Sequence, residues 1–121
     1  MITAAVDARR LGVRASVPDA FLEAAAIGYF TPAERARAQP TWFNEALGYA
    51  RQPIKLVTSA LLPVPHPIGM GPLPGVSDLA DYLEQHGAAL RWDRVPPASF
   101  WAAALDHLPS GDDLERLVLQ Q

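Results

Sequence analysis

The amino-acid sequence predicts a mainly α-helical domain: a compact bundle of six to seven short helices with a minor β-hairpin and a Pro/Gly-rich surface loop. Three observations support this fold class. Apolar residues recur at helical spacing in several short segments, helix-start signals precede most of them, and the twelve prolines cluster at their boundaries. A chain of 121 residues suits one domain, which we expect to span residues 1–121.

The first two predicted helices lie before residue 30. Residues 3–11, TAAVDARRL, form a short helix that ends at Gly12. Ser16 is placed as the N-cap of a second helix, with Pro18 in its first turn, and this helix is expected to reach residue 26 or 28.

The third and fourth predicted helices are separated by Pro40. Thr31 and Glu34 have the spacing of a capping box, so a short polar helix opens there and ends before Pro40. The fourth helix begins at residue 41 or 42 and ends at residue 50. Its core-facing stripe contains Trp42, Phe43, Ala46, Leu47 and Ala50.

The predicted β-strands lie near residues 54–62 and around Trp92. Length and flanking residues favour a strand near residues 54–62, although the apolar period is mixed. Residues 63–75, PVPHPIGMGPLPG, have proline or glycine at most second positions and are interpreted as an extended surface loop. The alternation of Leu90, Trp92 and Arg94 predicts a short strand beside residues 54–62.

A fifth helix is predicted over residues 77–87. Ser77 is its expected N-cap and Gly87 its expected terminating residue. One face of this helix is expected to carry Leu79, Tyr82, Leu83 and His86.

Two more helices complete the prediction. Pro96 and Pro97 fit only the start of the sixth helix, whose stripe makes Trp101 an expected anchor of the core. The stripe comprises Phe100, Trp101, Ala104, Leu105 and Leu108. Ser110 is placed as the N-cap of a seventh helix with Asp113 at N3 and an inner face of Leu114, Leu117 and Val118. This short helix reaches the chain end uncapped, so we expect the domain to be a module of a longer chain.

Composition and charge restrict the function classes. A net charge of −3, with acids and bases spread along the chain, provides no strong field for nucleic acid. The chain has no cysteine, and no apolar run approaches the roughly 20 residues that span a bilayer. We therefore expect a cytoplasmic protein that binds neither nucleic acid nor membranes.

Six residues are candidates for an interaction surface or a pocket. Arg91, Trp92 and Arg94 could form a small basic-aromatic group, but three residues are few for such a patch, and a connector that packs Trp92 inward is the favoured interpretation. The full set is His66, Tyr82, His86, Arg91, Trp92 and Arg94. The three histidines lack the spacing of a helical metal site, and no phosphate-binding lysine motif is present. We therefore assign no catalytic, cofactor-binding or metal-binding residue.

A run of motifs in fixed order resembles a known class of proteins. LADYLEQHG followed by RWDRVPPASFWAAALDH, with ITAAVDARRLG and WFNEALGYA upstream, is similar to a region of large actinobacterial regulatory proteins of the signal-transduction NTPase type. In those proteins an ATPase module precedes the region and tetratricopeptide-like helical repeats follow it. The resemblance implies a non-catalytic connecting domain with those modules as its protein partners. Family members are more basic after the HG pair, where this chain has Ala88, Ala89 and Leu90.

The leading hypothesis is thus a linker or interaction module of a multidomain NTPase-type regulator. Two alternatives remain open. One is a small ligand-binding or enzymatic domain that uses the proline-rich loop as a lid over His66, Tyr82 or His86, and the other is a free-standing helical adaptor.

Overall fold

A computed structural model describes residues 1–52, 60–108 and 111–120 of the chain. This part contains seven α-helices and a small three-stranded antiparallel sheet, which confirms the mainly α fold class. None of the described helices is long and apolar enough to cross a membrane. The elements in chain order are α1 (Ile2–Arg10), β1 (Val17–Pro18), α2 (Asp19–Ala26), a 3-10 turn (Ile27–Tyr29), α3 (Pro32–Arg37), α4 (Trp42–Ala50), β2 (Leu61–Pro65), β3 (Pro72–Leu79), α5 (Asp81–Arg91), α6 (Ala98–His107) and α7 (Gly111–Gln120).

The sheet has the strand order β1-β3-β2, and both pairings are antiparallel. Leu61 pairs with Leu79, and Val17 pairs with Ser77. Both leucines and Val17 are buried, so the inner end of the sheet lies against the helices.

The prediction of a loop over residues 63–75 was wrong, because β2 and β3 form a hairpin across most of it. The chain reverses between them, where His66 N–H donates to the Gly71 carbonyl at 3.0 Å. The prolines are tolerated because β2 lies at an edge of the sheet order and β1 pairs only with Val76 and Ser77 of β3. The hairpin is nevertheless largely exposed, and Ile68 and Met70 are 92% and 99% accessible.

The two predicted strands beside this hairpin differ from the structure. Residues 54–59 of the first lie outside the described part of the chain, and β2 begins at Leu61. The second, over Leu90–Arg94, was wrong because α5 continues through Arg91 and its C-cap is Trp92.

The fifth helix begins three residues later than predicted, because its N-cap is Ala80 rather than Ser77. Ser77 lies within β3 rather than at an N-cap, and its buried hydroxyl donates to Asp19 Oδ1 at 2.9 Å. Gly87 lies inside α5 rather than at its end. A β-carbon there would lie 2.6 Å from Val6 Cγ1, so the glycine serves the close approach of α1 and α5.

The second helix also begins later than predicted. Val17 pairs with β3, and Pro18 is the N-cap of α2, so Ser16 does not cap this helix. Its backbone is extended at Pro18 with φ −63° and ψ 139°, which is compatible with the proline ring. Val17 and Pro18, which were expected in the first turn of the helix, instead form strand β1.

The predictions for α3 and α4 are confirmed. The Thr31 hydroxyl accepts from Glu34 N–H, and the Glu34 carboxylate accepts from Thr31 N–H, which completes the capping box of α3. Helix α4 extends from Trp42 to Ala50. The sixth helix likewise begins directly after Pro97.

The core lies between α1, α2, α6 and the inner end of the sheet. Phe21 and Phe100 are fully buried and meet edge to face with ring centroids 5.4 Å apart. Trp101 was predicted to be a main anchor of the core. It contacts Phe100 but is only half-buried, so this prediction was wrong. Leu105 of the predicted stripe is 72% exposed.

Helix α7 is attached through Asp113. Its buried carboxylate accepts the backbone N–H groups of Arg14 and Ala15 at 3.0 and 3.1 Å. Leu117 is buried as expected and Leu114 is half-buried, whereas the predicted cap Ser110 and the side chain of Val118 lie outside the described part.

Candidate functional site

An exposed tryptophan on the connector between α5 and α6 marks the candidate site. Trp92 is 78% exposed and Val95 is 84% exposed, so the favoured prediction of inward packing for Trp92 was wrong. Trp92 is the C-cap of α5, where the chain leaves the helix before the buried Pro96. Both apolar side chains therefore point into solvent from a short segment between the end of α5 and the buried Pro96.

A groove of about 460 Å³ lies beside this tryptophan. We call it the Trp92 groove, and its walls are Arg10, Leu11, Trp92, Asp93, Arg94, Val95, Pro96 and Trp101. It combines apolar surface with exposed groups of both charge signs, because Asp93 and Arg94 lie on its rim. This composition suits recognition of another protein surface.

The connector is held from inside by one buried carboxylate. Asp7 of α1 is fully buried, and Arg91 contacts it in bidentate geometry. Arg91 Nε donates to Oδ1 at 2.9 Å, and Arg91 Nη2 donates to Oδ2 at 3.0 Å. Because Arg91 directly precedes Trp92, this pair fixes the end of α5 from which the indole projects.

A second arginine, Arg10, links the backbone that follows Trp92 to the same carboxylate. Arg10 Nε donates to Asp7 Oδ1 at 2.7 Å, and Arg10 Nη2 donates to the carbonyl of Arg94. The Arg94 N–H in turn donates to the Arg91 carbonyl at 3.0 Å. Residues 91 and 94 are thus both anchored through Asp7, with Trp92 between them.

Tyr29 completes the network around Asp7. Its hydroxyl donates to Asp7 Oδ2, and the Arg91 guanidinium lies 5.8 Å from the centre of the Tyr29 ring. Burial alone raises the pKa of Asp7, but hydrogen bonds from Arg91, Tyr29 and Arg10 outweigh it and lower this pKa below its ordinary value. Burial and the hydrogen bond to Asp7 raise the pKa of Tyr29, so the phenol stays protonated.

The six predicted candidates do not form one site. Trp92 and Arg94 line the Trp92 groove, whereas Arg91 lies beneath it and is engaged by Asp7. Tyr82 and His86 are exposed on α5. His66 lies at the hairpin turn, where its Nδ1 accepts from Ile68 N–H at 3.4 Å.

Sequence reasoning missed Asp7, Arg10 and Tyr29, which support the site. The amino-acid sequence contains one signal for this network. Asp7 stands among Ala4, Ala5 and Ala8 on a helix whose small side chains indicate burial, and an acid in such a stretch requires cationic partners. Arg10 follows at the i+3 spacing that brings side chains together on a helix.

Comparison with models of protein families gave no match, and neither the curated proteins nor the solved structures yielded a chain with significant similarity.

Proposed function

We propose that this chain is a non-catalytic linker or interaction module of a multidomain NTPase-type regulatory protein. In this proposal it contacts an adjacent ATPase or helical-repeat module through the Trp92 groove. The observation that supports it is the 78% exposed Trp92, which lies between Arg91, bound directly to the buried Asp7, and Arg94, whose carbonyl is bound to Asp7 through Arg10. We expect this role to be performed in the cytosol, with which the absence of cysteine is compatible.

The rigidity of the connector supports a binding role for Trp92. Tryptophan, tyrosine and arginine are the residues enriched at interface hot spots. A partner that binds a segment whose backbone is already ordered has less conformational entropy to remove on binding. The contacts of Arg10 and Arg91 with Asp7, and of Arg10 with the Arg94 carbonyl, order the chain on both sides of Trp92.

The groove also indicates the chemistry of the partner surface. Trp92, Val95 and the half-buried Trp101 offer apolar contact area, so the partner is expected to insert an apolar or aromatic side chain. We expect the partner to place a basic residue opposite Asp93 and an acidic residue opposite Arg94, both of which line the groove. These charges would set orientation more than affinity.

Binding of neighbouring modules tests the proposal. The ATPase and helical-repeat modules encoded in the same reading frame or beside it are purified and titrated into the 15N-labelled chain. We expect the Trp92 indole signal and the amides of residues 92–95 to shift. Trp92→Ser should weaken binding by at least about 2 kcal/mol, which corresponds to about thirtyfold in the dissociation constant.

A matched control distinguishes a specific surface from general hydrophobicity. Tyr49, which is 76% exposed on α4, is an aromatic residue outside the Trp92 groove. Tyr49→Ser should leave the affinity unchanged. Absence of such modules near the gene, absence of binding, or equal losses in both variants would refute the assignment.

A further inference from the structure

A second groove lies between α3 and α4, away from the connector that carries Trp92. Its volume is about 570 Å³. Phe30 and Trp42 form an aromatic corner in its wall, with ring centroids 5.7 Å apart and planes at 84°. The complete lining is Ile27, Phe30, Glu34, Arg35, Arg37, Ala38, Trp42 and Ala46.

The groove exists because α3 stands away from the core. Every residue from Thr31 to Thr41 is exposed, and α3 buries no side chain. Its capping box supplies local stability in place of packing. The apolar wall that would normally face a packed helix is therefore open, and Ile27 remains 44% exposed on it.

Two arginines of α3 give this apolar groove a positive side. Arg35 and Arg37 both line it and are exposed. Arg37 uses Nε to donate to the Ala33 carbonyl at 3.3 Å. The one acid in the lining, Glu34, has its carboxylate engaged by the Thr31 N–H at 2.9 Å.

We propose that the groove between α3 and α4 binds a small anionic amphiphile, with an apolar body against Phe30 and Trp42 and a carboxylate paired with Arg35 or Arg37. The volume lies within the roughly 300–1,000 Å³ of small-molecule sites, which are mostly apolar with few placed polar groups. Guanidinium groups match the planar geometry of a carboxylate. The charge of the rim therefore selects an anion over a neutral or cationic ligand.

Octanoate and octan-1-ol are suitable probes, because they share an apolar chain and differ in the charge of the head group. The full chain is 15N-labelled and titrated with each, and the Trp42 indole signal is assigned with Trp42→Phe. We expect saturable shifts at Trp42, Ala38 and Ala46 with octanoate at millimolar concentration. Octan-1-ol should bind about tenfold more weakly, since it cannot pair with the arginines.

The double variant Arg35→Gln/Arg37→Gln should lose this tenfold preference and retain the weak binding of octan-1-ol. Arg14→Gln serves as the control, because Arg14 is an exposed arginine outside this groove. If the double variant were to unfold, the comparison of the two probes on the unmodified chain would decide alone.

Three outcomes with the two probes would overturn the inference. They are no saturable shift with octanoate, equal affinity for both probes in the unmodified chain, and shifts that map to the Trp92 groove instead of α3 and α4. Binding of an acidic amphipathic peptide without binding of octanoate would assign the groove to a protein partner and would also overturn it.

Discussion

Gly87 of α5 approaches Val6 of α1 so closely that a β-carbon on the glycine would lie 2.6 Å from Val6 Cγ1 and 3.0 Å from Cγ2. The same two helices carry Arg91 and Asp7, whose carboxylate accepts two hydrogen bonds from the arginine. The absence of a side chain at residue 87 thus lets α5 lie near enough to α1 for this buried pair. The Arg91–Asp7 pair therefore links the packing of α1 and α5 to the position of the Trp92 groove.

Gly87→Ala should destabilise the domain although alanine is the better helix former. The new methyl group overlaps Val6, and overpacking of this kind costs about 1–3 kcal/mol, against a helix-propensity gain of about 1 kcal/mol. We expect a lower urea midpoint with an unchanged slope.

Gly48→Ala is the matched control for this prediction. Gly48 also lies within a helix, α4, but a β-carbon there would meet no heavy atom within 4 Å. It should raise the free energy of unfolding by about 0.5–1 kcal/mol. Equal stabilisation by both substitutions would contradict the close approach of α1 and α5.

Asp7→Asn should be the most damaging polar substitution in the network. It leaves the buried Arg10 and the half-buried Arg91 without their counter-charge, and breaking a buried ion pair costs about 3–5 kcal/mol. Asp93→Asn, on an exposed carboxylate, should change the free energy of unfolding by less than about 0.5 kcal/mol. Urea denaturation at neutral pH compares the two variants.

The lowered pKa of Asp7 also predicts an acid dependence. A carboxyl whose folded-state pKa is depressed stabilises the fold above its unfolded-state pKa, about 3.9, and this stability is lost as pH falls through the folded-state value. The parent chain should therefore lose stability below about pH 4 more steeply than a variant that lacks Asp7. Parallel curves would show that the carboxylate is not ion-paired in solution.

Phe100→Ala should cost more than Trp101→Ala. Phe100 is fully buried against Phe21, whereas the neighbouring Trp101 is half-buried on the Trp92 groove. We expect about 3–5 kcal/mol for Phe100→Ala and less for Trp101→Ala, with Trp92→Ala near zero because that side chain is exposed. Thermal and urea melts give the ranking. A larger loss of stability for Trp101→Ala than for Phe100→Ala would mean that Trp101, and not Phe100, is the α6 residue that faces the core.

The elements that sequence reasoning predicted well are those with local signals. The capping box of Thr31 and Glu34 fixes the start of α3, and Pro97 fixes the start of α6. Such signals involve residues within one turn of each other, so the surrounding fold hardly alters them.

The elements that it placed wrongly depend on contacts distant in sequence. Ser77 has the local appearance of an N-cap, but β3 pairs it with Val17, sixty residues earlier. Gly87 has the appearance of a helix end, but α1 requires a glycine inside α5. The Asp7 network likewise joins residues up to 84 positions apart, so no local pattern reveals which arginine reaches the carboxylate.

Tyr29 should make the domain sensitive to alkali. Burial and the hydrogen bond to Asp7 raise its pKa above the ordinary value of about 10. A group with a raised folded-state pKa contributes stability that is complete below the unfolded-state pKa and is lost as pH rises toward the folded-state value. Above about pH 10 the unfolded chain releases the phenolic proton while the folded chain keeps it.

The free energy of unfolding should therefore fall by up to about 1.4 kcal/mol per pH unit above about pH 10 through Tyr29 alone. Tyr29→Phe should lose this component and should also be less stable at neutral pH by about 1–3 kcal/mol, because Asp7 loses a donor. Tyr49→Phe, at a 76% exposed position, should keep the parent slope. Urea melts from about pH 8 to about pH 11 measure the three slopes. A Tyr29→Phe slope equal to that of the parent would mean that the Tyr29 hydroxyl ionises freely and does not donate to Asp7.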